Sequence, residues 1–132
     1  MIEYVEIRQK TDRQMIGIID NANSIIWHAK YFGVGDFEIY AEATAENVAL
    51  LSEGNYVTRP NDIEVGIIES VNISDDPQNG LMIAAVGRFA KSILDRRRIY
   101  NLSGHVNKPT ILRGNVEAAI RSVVSNNAIS CA

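Results

Sequence analysis

Among the side chains of this 132-residue chain that could do acid–base, nucleophilic or metal chemistry are two histidines, one cysteine and 16 acidic residues. Their spacing argues against such chemistry. His28 and His105 stand alone, with no second histidine or cysteine at ligand spacing, so neither a zinc site nor a nucleophile–base pair can be drawn. Carboxylates pair only as Glu3 with Glu6 and Glu38 with Glu42, in alternating stretches that offer no apolar pocket to raise a pKa for general acid work. Asp75 and Asp76 suggest calcium, but the alternating oxygen ligands and the distant acidic partner of a binding loop are missing, and a solvated turn is the simpler reading. Gly33-Val34-Gly35-Asp36 opens onto a strand pattern, whereas a phosphate cradle needs a helix N-terminus. No Walker lysine and no Gly-x-Ser-x-Gly elbow is present. No catalytic residue, metal or cofactor is expected, and the chain is expected not to be an enzyme.

The basic residues form the other pattern with chemical content. Residues 1–87 hold 5 Lys and Arg against 14 Asp and Glu, a balance of −9, while residues 88–132 hold 8 against 2, a balance of +6; together they give the net −3. Arg88 and the run Arg96-Arg97-Arg98 open the basic part. One reading is internal: the two parts attract, and the arginines complement a helix C-terminus. The other is intermolecular, an acidic face on one copy meeting a basic face on the next. A nucleic-acid interface fits less well, because the run is short, the chain is acidic overall and only Phe89 and Tyr100 could stack on bases.

These residues must be positioned by elements that the hydrophobic periodicity defines. The central unit is a hairpin over Ser24–Tyr40. Ile25, Trp27, Ala29 and Tyr31 alternate on the first arm, Phe37, Ile39 and Ala41 continue on the second, and the glycines of Gly33-Val34-Gly35-Asp36 supply the turn. Ile2–Gln9 and Met15–Ile19 precede it as strands. Thr44 caps a short helix that carries Ala45, Val48 and Leu51 on one stripe and stops at Gly54. Asn55–Arg59 is a strand, and Ile63, Val65, Ile67, Val71 and Ile73 keep a period of two in the longest strand signal, with Gly66 as a bulge or bend. After a loop over Ser74–Gly80, Leu81–Val86 returns. From Gly87 the period changes, with Phe89, Ile93 and Arg97 four apart, which predicts an amphipathic helix to Arg98. Asn115 caps a last helix, Val116 to about Ser125, with Glu117 and Arg121 paired four apart. The expected core therefore includes Ile25, Trp27, Tyr31, Phe37, Ile39, Ile67, Phe89 and Ile93.

The expected fold is α+β and mainly β: a curled antiparallel sheet or β-barrel-like domain with two to three short helices. A β-rich domain over residues 1–112 is followed by a C-terminal helix over 113–132 that leads into a following region. No apolar run approaches the roughly 20 residues of a membrane span. The lone Cys131 leaves the fold to packing rather than disulfides.

The order Ser24-Ile25-Ile26-Trp27, Lys30-Tyr31, Gly35-Asp36-Phe37-Glu38-Ile39, Gly54-Asn55-Tyr56-Val57, Gly66-Ile67-Ile68-Glu69 and Gly87-Arg88 leading to Ile93-Leu94-Asp95-Arg96-Arg97 resembles the N-terminal part of a family of siphovirus and prophage tail proteins. The closing Ala119-Ile120-Arg121 to Asn127-Ala128-Ile129 is similar to that family's next helix, and Phe89 departs from the polar residue usual after Gly-Arg. The resemblance implies a structural protein of the tail tip or baseplate hub, located in the virion tail and in host cytoplasm during assembly. It implies a ring, often a trimer, that joins the tail tube and distal tail ring to fibres or a lysin. On this reading Arg88, Arg96, Arg97 and Arg98 are the assembly-interface candidates, and neither nucleic acid nor a membrane span is a partner. The alternative is a ligand- or carbohydrate-binding β-module using Trp27, Tyr31 or Tyr40.

Overall fold

A computed structural model describes residues 3–96 and 114–126, in two compact units that divide at Ala90. The first unit is one antiparallel sheet of seven strands: β1 (Val5–Arg8), β2 (Met15–Ile19), β3 (Ala22–His28), β4 (Asp36–Glu42), β5 (Tyr56–Thr58), β6 (Val65–Asp76) and β7 (Gly80–Phe89), with helix α1 (Ala45–Leu50) between β4 and β5. Their order across the sheet is β2-β1-β5-β6-β7-β4-β3. The chain is thus mainly β, with short helices, as the periodicity predicts.

The sheet is not closed, yet it must curl. β2 and β3 occupy opposite ends of the order, and only Asp20 and Asn21 join them. Laid flat, seven strands would hold them about 29 Å apart at the usual spacing, while that link spans at most about 11 Å. Contacts across the concave side agree. Arg59, just past β5, stands with its guanidinium carbon 5.5 Å from the ring centre of Trp27 on β3, four places away in the order.

Inside the curl, Val5, Ile7, Ile19, Phe37, Ile39, Ala41, Leu51, Val57, Ile68, Met82, Ile83, Ala85 and Phe89 are almost entirely buried. Phe37 sits in its middle. It pairs with Gly87 across the β4–β7 ladder, and its ring also lies over Gly66 of β6, so that a Cβ at either glycine would meet it. An aromatic laid over strand glycines restores the packing that they lack. Phe37 stacks with Phe89 at 6.4 Å, and Trp27 touches both, at 5.7 and 4.7 Å.

Several expectations need correction. Tyr31 is 92% exposed, because β3 ends at His28 and the alternation does not carry into the loop. Ile67 is half-buried while Ile68 fills the core. The cause is a bulge at Glu69: Ile68 faces Gly87 and Ser70 faces Val86, so the inward set is Gly66 and Ile68 before the bulge and Val71 after it. Gly66 itself is not the bulge. Residues 87–89 are strand rather than helix, because β4 and β6 both bond to them: Asp36 faces Arg88 and Gly66 faces Phe89. Phe89 is still buried, but from a strand. On α1 the buried residues are Asn47 and Leu50, joined by Leu51 just after it, while Val48 is exposed. In the hairpin loop Gly33 takes a positive φ of 149°, whereas Gly35 is required for close approach, since a Cβ there would meet the Phe89 ring and the His28 carbonyl.

Two buried asparagines fix the corner around α1. Thr44 caps it, its Oγ1 accepting from the Asn47 amide at 3.1 Å. The Asn47 side chain donates to the Glu42 carbonyl at 2.9 Å and to Asn21 Oδ1 at 3.3 Å, which ties the helix to the β2–β3 link. Asn55 Nδ2 donates to the Leu50 carbonyl at 3.0 Å, so one of the orphan acceptors at the helix end is satisfied.

The second unit contains α2 (Ser92–Asp95) and α3 (Val116–Val124). Asn115 Oδ1 accepts from the Ala118 amide at 2.7 Å, Arg121 and Glu117 form the expected pair at 2.8 Å, and no residue of α3 is buried. Ile93, within α2, is half-buried. Ile99–Thr110, the end of the predicted 87–98 helix, His105 and Cys131 lie outside the described residues. The division at Ala90 gives the charge pattern a structural counterpart. Residues 1–90 hold 6 basic and 14 acidic side chains (−8) and residues 91–132 hold 7 and 2 (+5), summing to −3.

Candidate assembly surface

Among the described residues the sheet ends on β2 and β3, whose outer backbone groups face no other described strand. The accessible side chains of β2 are apolar, Met15, Ile16 and Ile18, whereas on β3 Ile26 stands among the polar Asn23, Ser24 and His28; Ile18 is 44% and Ile26 52% exposed. Each edge has one bulge. Ile16 on β2 and Asn23 on β3 have no counterpart in the neighbouring ladder, which leaves Gly17–Ile19 and Ser24–His28 as regular stretches.

At the far end of the β3–β4 hairpin, Tyr31 and Phe32 are both more than 90% exposed and meet edge to face at 4.6 Å. The base of that loop is organised by Asp36. His28 faces Asp36 in the ladder, with Nδ1 3.5 Å from one carboxylate oxygen, while Lys30 Nζ donates to the other at 3.0 Å. The hydrogen bond from Lys30 holds the Asp36 carboxyl below its ordinary pKa.

The other tip, between β6 and β7, is organised by Asp76. One carboxylate oxygen accepts from the Gln78 and Asn79 amides at 2.8 and 3.3 Å, and the other accepts from Tyr40 Oη at 3.1 Å. The Gln78 amide contributes most to lowering the Asp76 pKa, and desolvation ahead of the bond to Asp76 raises that of Tyr40. This is an Asx turn closed by Gly80 at a φ of +78°, in keeping with the solvated-turn reading. Among the described residues no group of three or more His, Cys, Asp or Glu could hold a metal ion.

The predicted interface arginines are not brought together as a set. Arg88 lies on β7, where its Nε and guanidinium nitrogen bond both oxygens of the bulged Glu69 at 3.0 Å, a two-pronged pair. Arg96 belongs to the second unit, and its amide bonds the Ile93 and Leu94 carbonyls at the end of α2. Arg97 and Arg98 lie outside the described residues. The edge positions of β2 and β3 among the described residues were missed from sequence. Neither Met15–Ile19 nor Ala22–His28 contains Lys, Arg, Asp, Glu or Pro, but the same holds of the inner β5, so which strands are edges depends on pairing between distant segments.

No helix among the described residues is long and apolar enough to cross a membrane. No curated protein was found to match the chain. A family model does, that of the Siphovirus ReqiPepy6 Gp37-like protein, over residues 4–132. The sheet is not the closed barrel of the barrel-like alternative, but with almost the whole chain matched this protein belongs to the siphovirus ReqiPepy6 Gp37-like family.

Proposed function

We propose that the chain is a structural component of a bacteriophage or prophage tail, placed at the tail tip or baseplate hub, where copies assemble into a ring and dock to neighbouring tail proteins. The observation that carries this reading is the siphovirus family match across residues 4–132. The fold is in keeping with it, as a curled sheet whose β2 and β3 edges are unpaired among the described residues offers surfaces for contact with further chains. The partners are a second copy of the chain, the distal tail ring, the tube, and fibres or a lysin, and no catalytic activity is assigned. The charge division supports oriented packing, because an acidic first unit and a basic second unit on neighbouring copies attract.

The carbohydrate-binding alternative loses two of its three aromatic residues. Trp27 packs against Phe37 and Phe89 beneath Arg59, and Tyr40 is bonded to Asp76, so of the three only Tyr31 stands open. Assembly is tested by the mass of the purified chain in solution, with Arg96, Arg97 and Arg98 then reversed to Glu together. The reading predicts a defined oligomer that the reversal converts to folded monomer. A wild-type chain that remains monomeric at all concentrations contradicts it.

A further inference from the structure

Asparagine followed by glycine is the pair at which a polypeptide is most open to attack by its own backbone, because the glycine carries no Cβ to hinder the approach of its nitrogen. Of the asparagines in this chain, Asn79 alone precedes a glycine. The pair closes the β6–β7 tip, where Gly80 is the partner of Asp76 in the last rung of the ladder and takes a φ of +78°. Asn79 is held at two points by one carboxylate. Its main-chain amide donates to Asp76 Oδ1 at 3.3 Å and its Nδ2 donates to Oδ2 at 3.2 Å. Tyr40 Oη donates to that second oxygen as well, at 3.1 Å, so the carboxamide is tied through Asp76 to β4.

We infer that Asn79 is a modification site, converted to aspartate and isoaspartate by attack of its own chain, and that Asp76 sets the rate. Hydroxide takes the proton of the Gly80 amide, and the nitrogen forms a bond to Asn79 Cγ. The Cγ–Nδ2 bond breaks, Nδ2 leaves as ammonia with a proton from water, and a cyclic succinimide remains. Water then opens the ring. Breaking the bond between the Gly80 nitrogen and Cγ leaves aspartate; breaking that between the nitrogen and the Asn79 carbonyl carbon leaves isoaspartate, with one extra carbon in the main chain. Water is consumed, ammonia is released, and nothing is oxidised or reduced. The bonds to Asp76 slow the first step. They resist the rotation that brings Cγ onto the Gly80 nitrogen, and donation from Nδ2 to an anion makes the carboxamide a weaker electrophile. The products in turn loosen the tip. An acceptor-only carboxylate replaces the donor beside Asp76, so like charges meet, and in isoaspartate the extra carbon displaces Gly80 from its rung.

The test follows the full chain in mildly alkaline buffer, folded and in urea, by mass spectrometry of the proteolytic peptide that holds Asn79. A protein isoaspartyl methyltransferase reports the isoaspartate. In urea, Asn79 should be the first asparagine to convert. In the folded wild type it should convert about tenfold more slowly, and in folded Asp76→Ala at close to the unfolded rate. Circular dichroism and Trp27 fluorescence check that the variant is folded. Asp76→Asn, which keeps the side-chain shape but turns an amide toward Asn79, should also be faster than wild type. Asn79→Gln, whose side chain closes a ring far more slowly, should leave the peptide unmodified over the same period. Asn79 still intact in the folded wild type after many times the period that converts it in urea overturns the site. Equal rates in the folded wild type and both folded Asp76 variants overturn the part assigned to Asp76.

Discussion

The position of Phe37 over two glycines makes a prediction whose sign depends on background. Truncation of this fully buried ring by Phe37→Ala removes its contacts with Trp27 and Phe89 and leaves Gly66 and Gly87 uncovered, at a cost of about 3–5 kcal/mol. In the wild type, Gly66→Ala also destabilises. The added Cβ meets the Phe37 ring, whose Cδ1 would lie 2.7 Å away, and overpacking of this kind costs about 1–3 kcal/mol. Gly66 has no positive φ that alanine would strain, and its three nearest obstructing atoms all belong to Phe37. Once Phe37 is alanine, Gly66→Ala should therefore stabilise the protein, by about 0.5–1 kcal/mol from reduced chain entropy. Gly87→Ala serves as the contrast. Its Cβ runs into the backbone carbonyl of Ile67, so it should be severely destabilising in both backgrounds. Urea unfolding followed through Trp27, the single tryptophan, gives all the values needed for the cycle. Equal destabilisation by Gly66→Ala with and without the Phe37 ring would refute the packing argument.

Other consequences follow from polar groups. Asn55→Ala deletes the buried bond to the Leu50 carbonyl and should cost about 1–3 kcal/mol, read as a lower urea midpoint with unchanged slope. Thr44→Ala should cost about 1 kcal/mol through loss of the α1 cap, measured in the same way. Asp36 and Asp76 have folded pKa values below the ordinary 3.8, so their stabilisation is complete above that pH and is lost as the pH falls through the folded values. Thermal melts should show stability from these groups level above about pH 5 and falling below 3.8. Asp76→Asn should flatten part of that acid limb. Tyr40, with its pKa raised, should titrate above 10 in ultraviolet absorbance, and nearer to 10 in the Asp76→Asn variant.

What sequence reasoning recovered was local. The hairpin of β3 and β4, the strands before it, the caps at Thr44 and Asn115 and the Glu117–Arg121 pair all depend on residues close in sequence, and the structure places them there. What it missed was decided by partners far away. The helix predicted from Gly87 yields to strand because β4 and β6 bond residues 87–89 from both sides. The inward frame of β6 changes at Glu69, whose interruption of the apolar side was visible, but its meaning as a bulge needed the β7 register. Asn47 and Asn55 looked like ordinary polar residues, and their burial follows from carbonyls that only the folded chain presents. The assembly candidates divide similarly. An arginine run is conspicuous in sequence, whereas the edge positions of β2 and β3 become visible only when the strand order is known.

The proposed place of this chain in the virion can be observed. Electron microscopy of particles induced from the source cells, labelled with antibody raised against this chain, tests it most directly. A protein of the tail tip gives label confined to that end of the particle. Well-formed tails with no label there, under conditions in which the epitopes are accessible, would contradict it.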